Sequence, residues 1–245
     1  MIVGSTPQGS LHVTQADHAR FASELLSLFR LPELVGHPRR QRLLRAVAEH
    51  DNGWWEADAA PRLAADGSCA LDFRAVAAEL RQEIWLRGVE RFADEDPYIA
   101  ALLAAHALRL AERWRGEESW ASFLGPVTSR LEELLQASGE LPEALAEDDR
   151  WMCLADSLSL AVCAGEPGLL ALPGWSLRLP AAGAGGAFPD QGIAVRLEPF
   201  PFAGVTAFEL SCRWLAAERF ASPAALGVAL ATSPWRRLRV RFAPL

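Results

Sequence analysis

Through the first two thirds of the chain, apolar residues recur at intervals of three and four, the spacing that lines one face of an α-helix. The pattern predicts six helices, over 14–29, 38–52, 73–92, 96–116, 119–135 and 142–164. Thr14 with Asp17 three residues on forms a capping pattern, and Asp96-Pro97 places a cap before a proline suited to the first helical position. Gly53 and Gly165 are the expected stops of the second and sixth helices. Beyond residue 165 the period changes to two. "IAVRLEPF" points Ile193, Val195 and Leu197 one way, "FELSCRW" Phe208, Leu210, Cys212 and Trp214, and "LRVRF" Leu238, Val240 and Phe242. These are half-buried strands. A short helix opens at Ser222-Pro223, and "PAAGAGGAFPDQG" (180–192) is a Gly- and Pro-rich connection. The expected fold is mainly α: a helical domain over 1–167, then a small C-terminal antiparallel β region over 168–245 whose apolar face packs on the helices.

At 245 residues and 51% hydrophobic, the chain can bury a full core as one domain or one domain with a smaller appendage. A net charge of −7 argues against a nucleic-acid polymer or an anionic membrane as partner. All 24 basic residues are arginine, which excludes lysine Schiff bases, pyridoxal phosphate anchoring and the lysine of a Walker loop. Cys69, Cys153, Cys163 and Cys212 include no CxxC pair, so free thiols in a reducing compartment are expected. The start, MIVGSTPQG, lacks the basic and long apolar regions of a signal peptide, and no stretch of about 18 uncharged apolar residues suggests a membrane span. A cytoplasmic protein is the expectation.

Four predicted helices each aim a titratable side chain inward. His18 shares a face with Phe21, Ala22 and Leu25, His50 with Leu43, Ala46 and Val47, His106 with Leu102, Leu103 and Leu110, and Asp156 with Met152, Cys153 and Leu160. A buried carboxylate without a partner costs several kcal/mol, and a shared divalent cation removes that cost. Two carboxylates with two or three imidazoles suit Mn, Fe, Zn or Ni, with Mg also admissible. His50 and Asp51 point about 100° apart on a helix, so both reach one ion only near the helix end, where unpaired carbonyls also favour a cation. Taken singly, His18 or His106 reads as a core histidine with a satisfied hydrogen bond in preference to a ligand, and Asp156 could bond a helix terminus. Their conjunction favours a metal. His12, in a short strand, and His37, at a helix cap, read as peripheral and structural. Trp54 reads as core in preference to a wall of the site, and Arg237, Arg239 and Arg241 as the solvated face of a strand.

The order His18, His50-Asp51, Asp156 resembles the signature of the HD-domain superfamily of helical metal-dependent phosphohydrolases, over residues 14–165. More narrowly, "TQADHA" (14–19), "HDNGWW" (50–55), "DPYIAALLAAH" (96–106) and "DSLSL" (156–160) are similar to an uncharacterised bacterial family, domain of unknown function 3891. The superfamily resemblance implies an HD-domain-like bundle, with His18, His50, Asp51 and Asp156 as metal ligands. His106 would be a further ligand or the acid that protonates the leaving oxygen, so that Asp51 and His106 carry catalysis. The implied substrate is a small-molecule or nucleotide phosphoester attacked by an ion-activated water. Some relatives place a lysine near the substrate phosphate; its absence here leaves Arg20 or Arg109. The superfamily also holds di-iron oxygenases, so an oxygenase, or a binding module without catalysis, is the alternative.

Overall fold

A computed structural model of the chain describes residues 1–6, 8–165, 167–180, 192–216 and 218–245. Strands β1 (Ile2–Thr6) and β2 (Gly9–Val13) come first. Eight helices follow: α1 (Gln15–Ser27), α2 (Pro32–Val35), α3 (Arg40–Glu49), α4 (Trp55–Ala59), α5 (Ala78–Ala93), α6 (Pro97–Ala111), α7 (Glu118–Ser138) and α8 (Pro142–Ala164). Then come β3 (Gly168–Leu172), β4 (Trp175–Leu179), β5 (Ile193–Glu198), β6 (Thr206–Ala216), α9 (Pro223–Thr232) and β7 (Arg236–Pro244). The helix starts follow the expected caps: Thr14 Oγ1 accepts from the Asp17 amide at 3.0 Å, and Asp96 Oδ1 from that of Tyr98 at 3.1 Å. Most of the Gly- and Pro-rich connection, residues 181–191, lies outside the described residues.

The sheet overturns the expectation of a mainly α, HD-domain-like bundle with a small C-terminal antiparallel β region. Seven strands form one sheet in the order β1-β2-β6-β7-β5-β4-β3. It is mixed, because β5 runs parallel to β7 while the other neighbours are antiparallel. Its first two strands come from the start of the chain, so the architecture is α+β. The difference has physical reasons. β2 is the short strand expected at His12, but it is buried at all five positions and carries no alternation to tie it to the sheet, and β3, an apolar run not expected as a strand, lies exposed at the sheet edge. β5, by contrast, alternates buried and exposed at every position, as predicted. On β7, Leu238, Val240 and Phe242 are buried while Arg237, Arg239 and Arg241 face solvent, Arg239 standing opposite Glu209 of β6.

One hydrophobic cluster runs from the helices into the inner face of the sheet. Phe21 of α1 meets Phe208 of β6 edge-on with ring centroids 6.0 Å apart, and Phe29 stacks on Trp175 at 5.7 Å. Burying each such ring stabilises the fold by roughly 1.5–3 kcal/mol, which holds α1 between the sheet and helices α3 and α8. Among the described residues, no helix is long and apolar enough to cross a membrane.

All four cysteines are free. Cys163 and Cys212 are fully buried, and burial pushes the Cys212 thiol up to about 11 and Cys163 higher still. Only Cys69 and Cys153 are therefore expected to react with a thiol reagent at pH 8 in the native protein, and all four after unfolding. Rapid modification of Cys163 in the folded state would show that α8 opens readily.

Candidate metal centre

The second predicted helix stops earlier than its sequence pattern suggests. α3 ends at Glu49, His50 occupies its C-cap, and a 3₁₀ turn, Asn52–Trp54, follows. Gly53 is thus part of the turn, and it is needed there for a close approach. A Cβ at that position would stand 1.9 Å from the Ile84 carbonyl oxygen of α5. Asn52 fastens the same contact, its amide donating to the carbonyls of Glu49 at 2.9 Å and Gly88 at 3.1 Å. Arg87 donates to the Gly53 carbonyl at 2.7 Å, and Arg91 to that of Asn52. This lashing aims His50 and Asp51 at α1, α6 and α8.

There the predicted side chains converge. His18, His50, Asp51, His106 and Asp156 are all buried, none more than 8% exposed. His18 Nε2 lies 3.0 Å from Asp156 Oδ1 and 3.8 Å from Asp51 Oδ2, while His50 Nε2 lies 3.3 Å from Asp51 Oδ2 and 3.5 Å from Asp156 Oδ1. The His50 ring sits between those of His18 and His106, with centroids 5.2 and 5.0 Å away.

Hydrogen bonds on the far side of each ring fix which nitrogen faces the centre. The Val47 carbonyl only accepts, so His50 Nδ1 at 2.8 Å carries the proton and the neutral ring presents an Nε2 lone pair inward. That Nε2 is buried and has no hydrogen-bond partner. Ser159 Oγ donates to the His18 carbonyl at 2.9 Å, so it accepts from His18 Nδ1 at 2.7 Å, and in the neutral ring the His18 Nε2 lone pair also faces inward. His106 is the reverse. Arg109 Nη2 only donates, so His106 Nδ1 accepts from it at 2.7 Å, and the neutral ring carries its proton on Nε2.

Two lone pairs facing two carboxylates require positive charge between them. Without an ion, protons supply it. Burial alone lowers the His50 imidazole, but the charges of Asp51 and Asp156 outweigh it and hold His50 well above its usual range. Burial pushes Asp156 up, yet its hydrogen bond with His18 and the proximity of His50 hold it well below, and His50 likewise holds Asp51 low. Burial, then the charge of Arg109, takes His106 down to about 3. A divalent ion fits the same donors. Atoms ligating one ion at about 2.0–2.2 Å stand roughly 3.0–3.5 Å from each other, and three of the four inward contacts, 3.0, 3.3 and 3.5 Å, fall in that interval.

The cluster opens into a cavity of about 160 Å³ lined also by Gln15, Trp54, Phe73, Arg81, Trp85, Arg113 and Trp114. Trp54, expected as core, is 2% exposed and also walls this cavity. Neither arginine suggested by the sequence lines it: Arg20 pairs with Asp17 on the surface, and Arg109 pairs with Asp149 at 3.0 Å. Sequence reasoning missed Arg81, Arg113 and Ser159. For Ser159 a signal existed, since it lies three residues after Asp156 on the same helix.

His12 and His37, read as peripheral, are both buried. His12 Nε2 accepts from the Ala70 amide at 3.4 Å within the sheet region. His37 lies with Glu147 and Asp148, a second group of potential ligands. Its Nδ1 accepts from the Arg39 amide, so Nε2–H faces Asp148 Oδ1 at 2.9 Å. Asp148 already takes two bonds from Arg39 and one from Tyr98 at 2.7 Å. That carboxylate is saturated, and the group is a buried ion-pair network linking α3, α6 and α8.

A family described as protein of unknown function (DUF3891) matches residues 1–216. The chain belongs to this family. The DUF3891 match takes in β1, β2 and the strands through β6, as well as the helices of the candidate centre, and so extends beyond the four phrases within 14–160 that resemble this family. α9 and β7 of this DUF3891 member lie beyond it. No curated protein and no solved structure matches the chain.

Proposed function

We propose that the protein is a metal-dependent phosphohydrolase of the HD kind, acting on a small-molecule phosphoester in a cytoplasmic setting. The likeness to that superfamily concerns the donor set, not the α+β architecture. One observation supports it above the rest: His18, His50, Asp51 and Asp156 meet beside a cavity that all but His50 line, with both inward nitrogens unprotonated in the neutral tautomers. These four residues would hold a divalent ion, Mn, Fe, Zn or Ni, with Mg also admissible. When bound, such an ion lowers the pKa of a water and neutralises charge on phosphoryl oxygens.

The chain's own residues supply the rest. Ser159 and the Val47 carbonyl hold the His18 and His50 rings in the orientation a ligand needs. His106 serves as a fixed hydrogen-bond donor toward the phosphoryl or leaving oxygen, because Arg109 occupies its other nitrogen. Burial keeps it neutral, so it donates a hydrogen bond without carrying charge.

Elemental analysis of protein purified without added metal tests the reading, followed by a phosphate-release screen with Mn or Mg. About one divalent ion per chain is expected. Adding that ion at 100 times its Kd to the stripped protein is expected to raise stability by about 2.7 kcal/mol, by mass action on the folded state. Iron with absorption bands that respond to dioxygen would favour an oxygenase. No metal uptake would remove the proposal.

A further inference from the structure

The wall of the cavity beside the candidate centre carries cationic side chains, Arg81 and Arg113 among them. Arg81 is 7% exposed, and its Nη2 donates to the carbonyls of Phe73, Arg74 and Val76 at 3.3, 2.9 and 2.9 Å. Its Nε is buried and has no hydrogen-bond partner. Arg113 lies at the cavity rim, and both guanidinium carbons stand 4.9 Å from the Trp114 ring centroid. Among the described residues, neither arginine forms an ion pair with a carboxylate. Burial, and then the like charge of Arg113, lowers the Arg81 guanidinium below its usual range. A guanidinium as buried as that of Arg81 is costly to keep without a carboxylate partner unless an anion visits it, and Arg113 at the rim adds a second donor for that anion.

Two more buried polar atoms in the same wall lack partners, Gln15 Oε1 and Trp54 Nε1. The rings of Phe73, Trp85 and Trp114 line the same cavity. The volume, about 160 Å³, is comparable with the roughly 150 Å³ apolar cavity that accommodates benzene. It has room for one ring and a small planar substituent.

We infer that this cavity takes a single-ring ligand bearing a carboxylate, with the carboxylate on Arg81 and Arg113 and the ring among Trp54, Phe73, Trp85 and Trp114. Combined with the function proposed above, on which this half of the inference rests, the substrate is a phosphoester of a carboxylated ring. Its phosphoryl group faces the His and Asp cluster. The carboxylate subsite itself rests on the two arginines alone.

The test compares two non-hydrolysable probes, phenylphosphonate and 4-carboxyphenylphosphonate, titrated into the Mn-loaded full chain with tryptophan fluorescence as the readout. The carboxylated probe is expected to bind at least tenfold more tightly than the plain one. In Arg113→Gln, an exposed position whose replacement leaves the core intact, the two are expected to bind alike. Equal binding in the wild type overturns the carboxylate subsite while phenylphosphonate binding leaves the hydrolase reading standing. A preference that survives in Arg113→Gln, or no binding of either probe, also overturns it. In the last case metal content still decides the hydrolase reading.

Discussion

Asp51→Ala is expected to lose its metal and to cut phosphoester turnover by at least about 10³-fold, equivalent to about 4 kcal/mol of barrier, with the helix content unchanged. Asp51 Oδ2 approaches both His18 Nε2 and His50 Nε2, at 3.8 and 3.3 Å, so it is the carboxylate that joins the turn after α3 to α1. Removing it leaves two imidazoles and Asp156, a set of three with one negative charge. The fold does not depend on it in the same way. The turn is held by the backbone bond from the Trp54 amide to the Asp51 carbonyl at 3.0 Å and by Asn52, Arg87 and Arg91, all of which survive the substitution. Metal content and phosphate release, measured beside far-UV circular dichroism, separate the two effects. A variant that keeps its ion and its full turnover would sink the assignment of Asp51.

The same physics explains what could be read from the sequence. His18, His106 and Asp156 were legible because each lies within a helical repeat whose apolar partners show which way it points. His50-Asp51 was legible as an adjacent pair, although the helix ends at Glu49 and the pair sits in the turn that follows. The cavity walls were not. Phe73 and Trp114 were expected inside the helices 73–92 and 96–116 but stand in 3₁₀ turns beyond the ends of α5 and α6, and Arg81 is a cation on the buried face of α5, where a sequence pattern assigns charge to solvent. His37 is structural, as expected, but its burial was hidden for a related reason. Its neighbours Gly36, Pro38 and Arg39 signal a surface turn, and the carboxylate that buries it, Asp148, comes from α8. The sheet was half visible: β5 and β7 alternate because one face is wet, whereas β2 is covered on both faces and has no period to detect.

Gly53→Ala is expected to destabilise the protein by about 3 kcal/mol, the upper end of what overpacking usually costs, and to weaken metal binding although residue 53 touches no ligand atom. The new Cβ would fall 1.9 Å from the Ile84 carbonyl oxygen, 2.9 Å from its carbon and 3.1 Å from the Gly88 nitrogen. All three are backbone atoms of one helix, so no rotamer relieves the clash and α5 or the turn must move. Moving the turn stretches the Asn52 bond to Gly88 and the Arg87 bond to Gly53, and it shifts Asp51, two residues away. At about 2–4 °C per kcal/mol for a chain of this size, the melting temperature should fall by roughly 6–12 °C. Gly227 in α9 is the matched control, since a Cβ there meets nothing within 4 Å. Alanine at a helical glycine with that much room is expected to be neutral or to stabilise by about 0.5–1 kcal/mol. Calorimetry of the two variants with and without the ion decides the matter: equal melting temperatures would mean that the turn and α5 are not pressed together, and the positioning of Asp51 would need another cause.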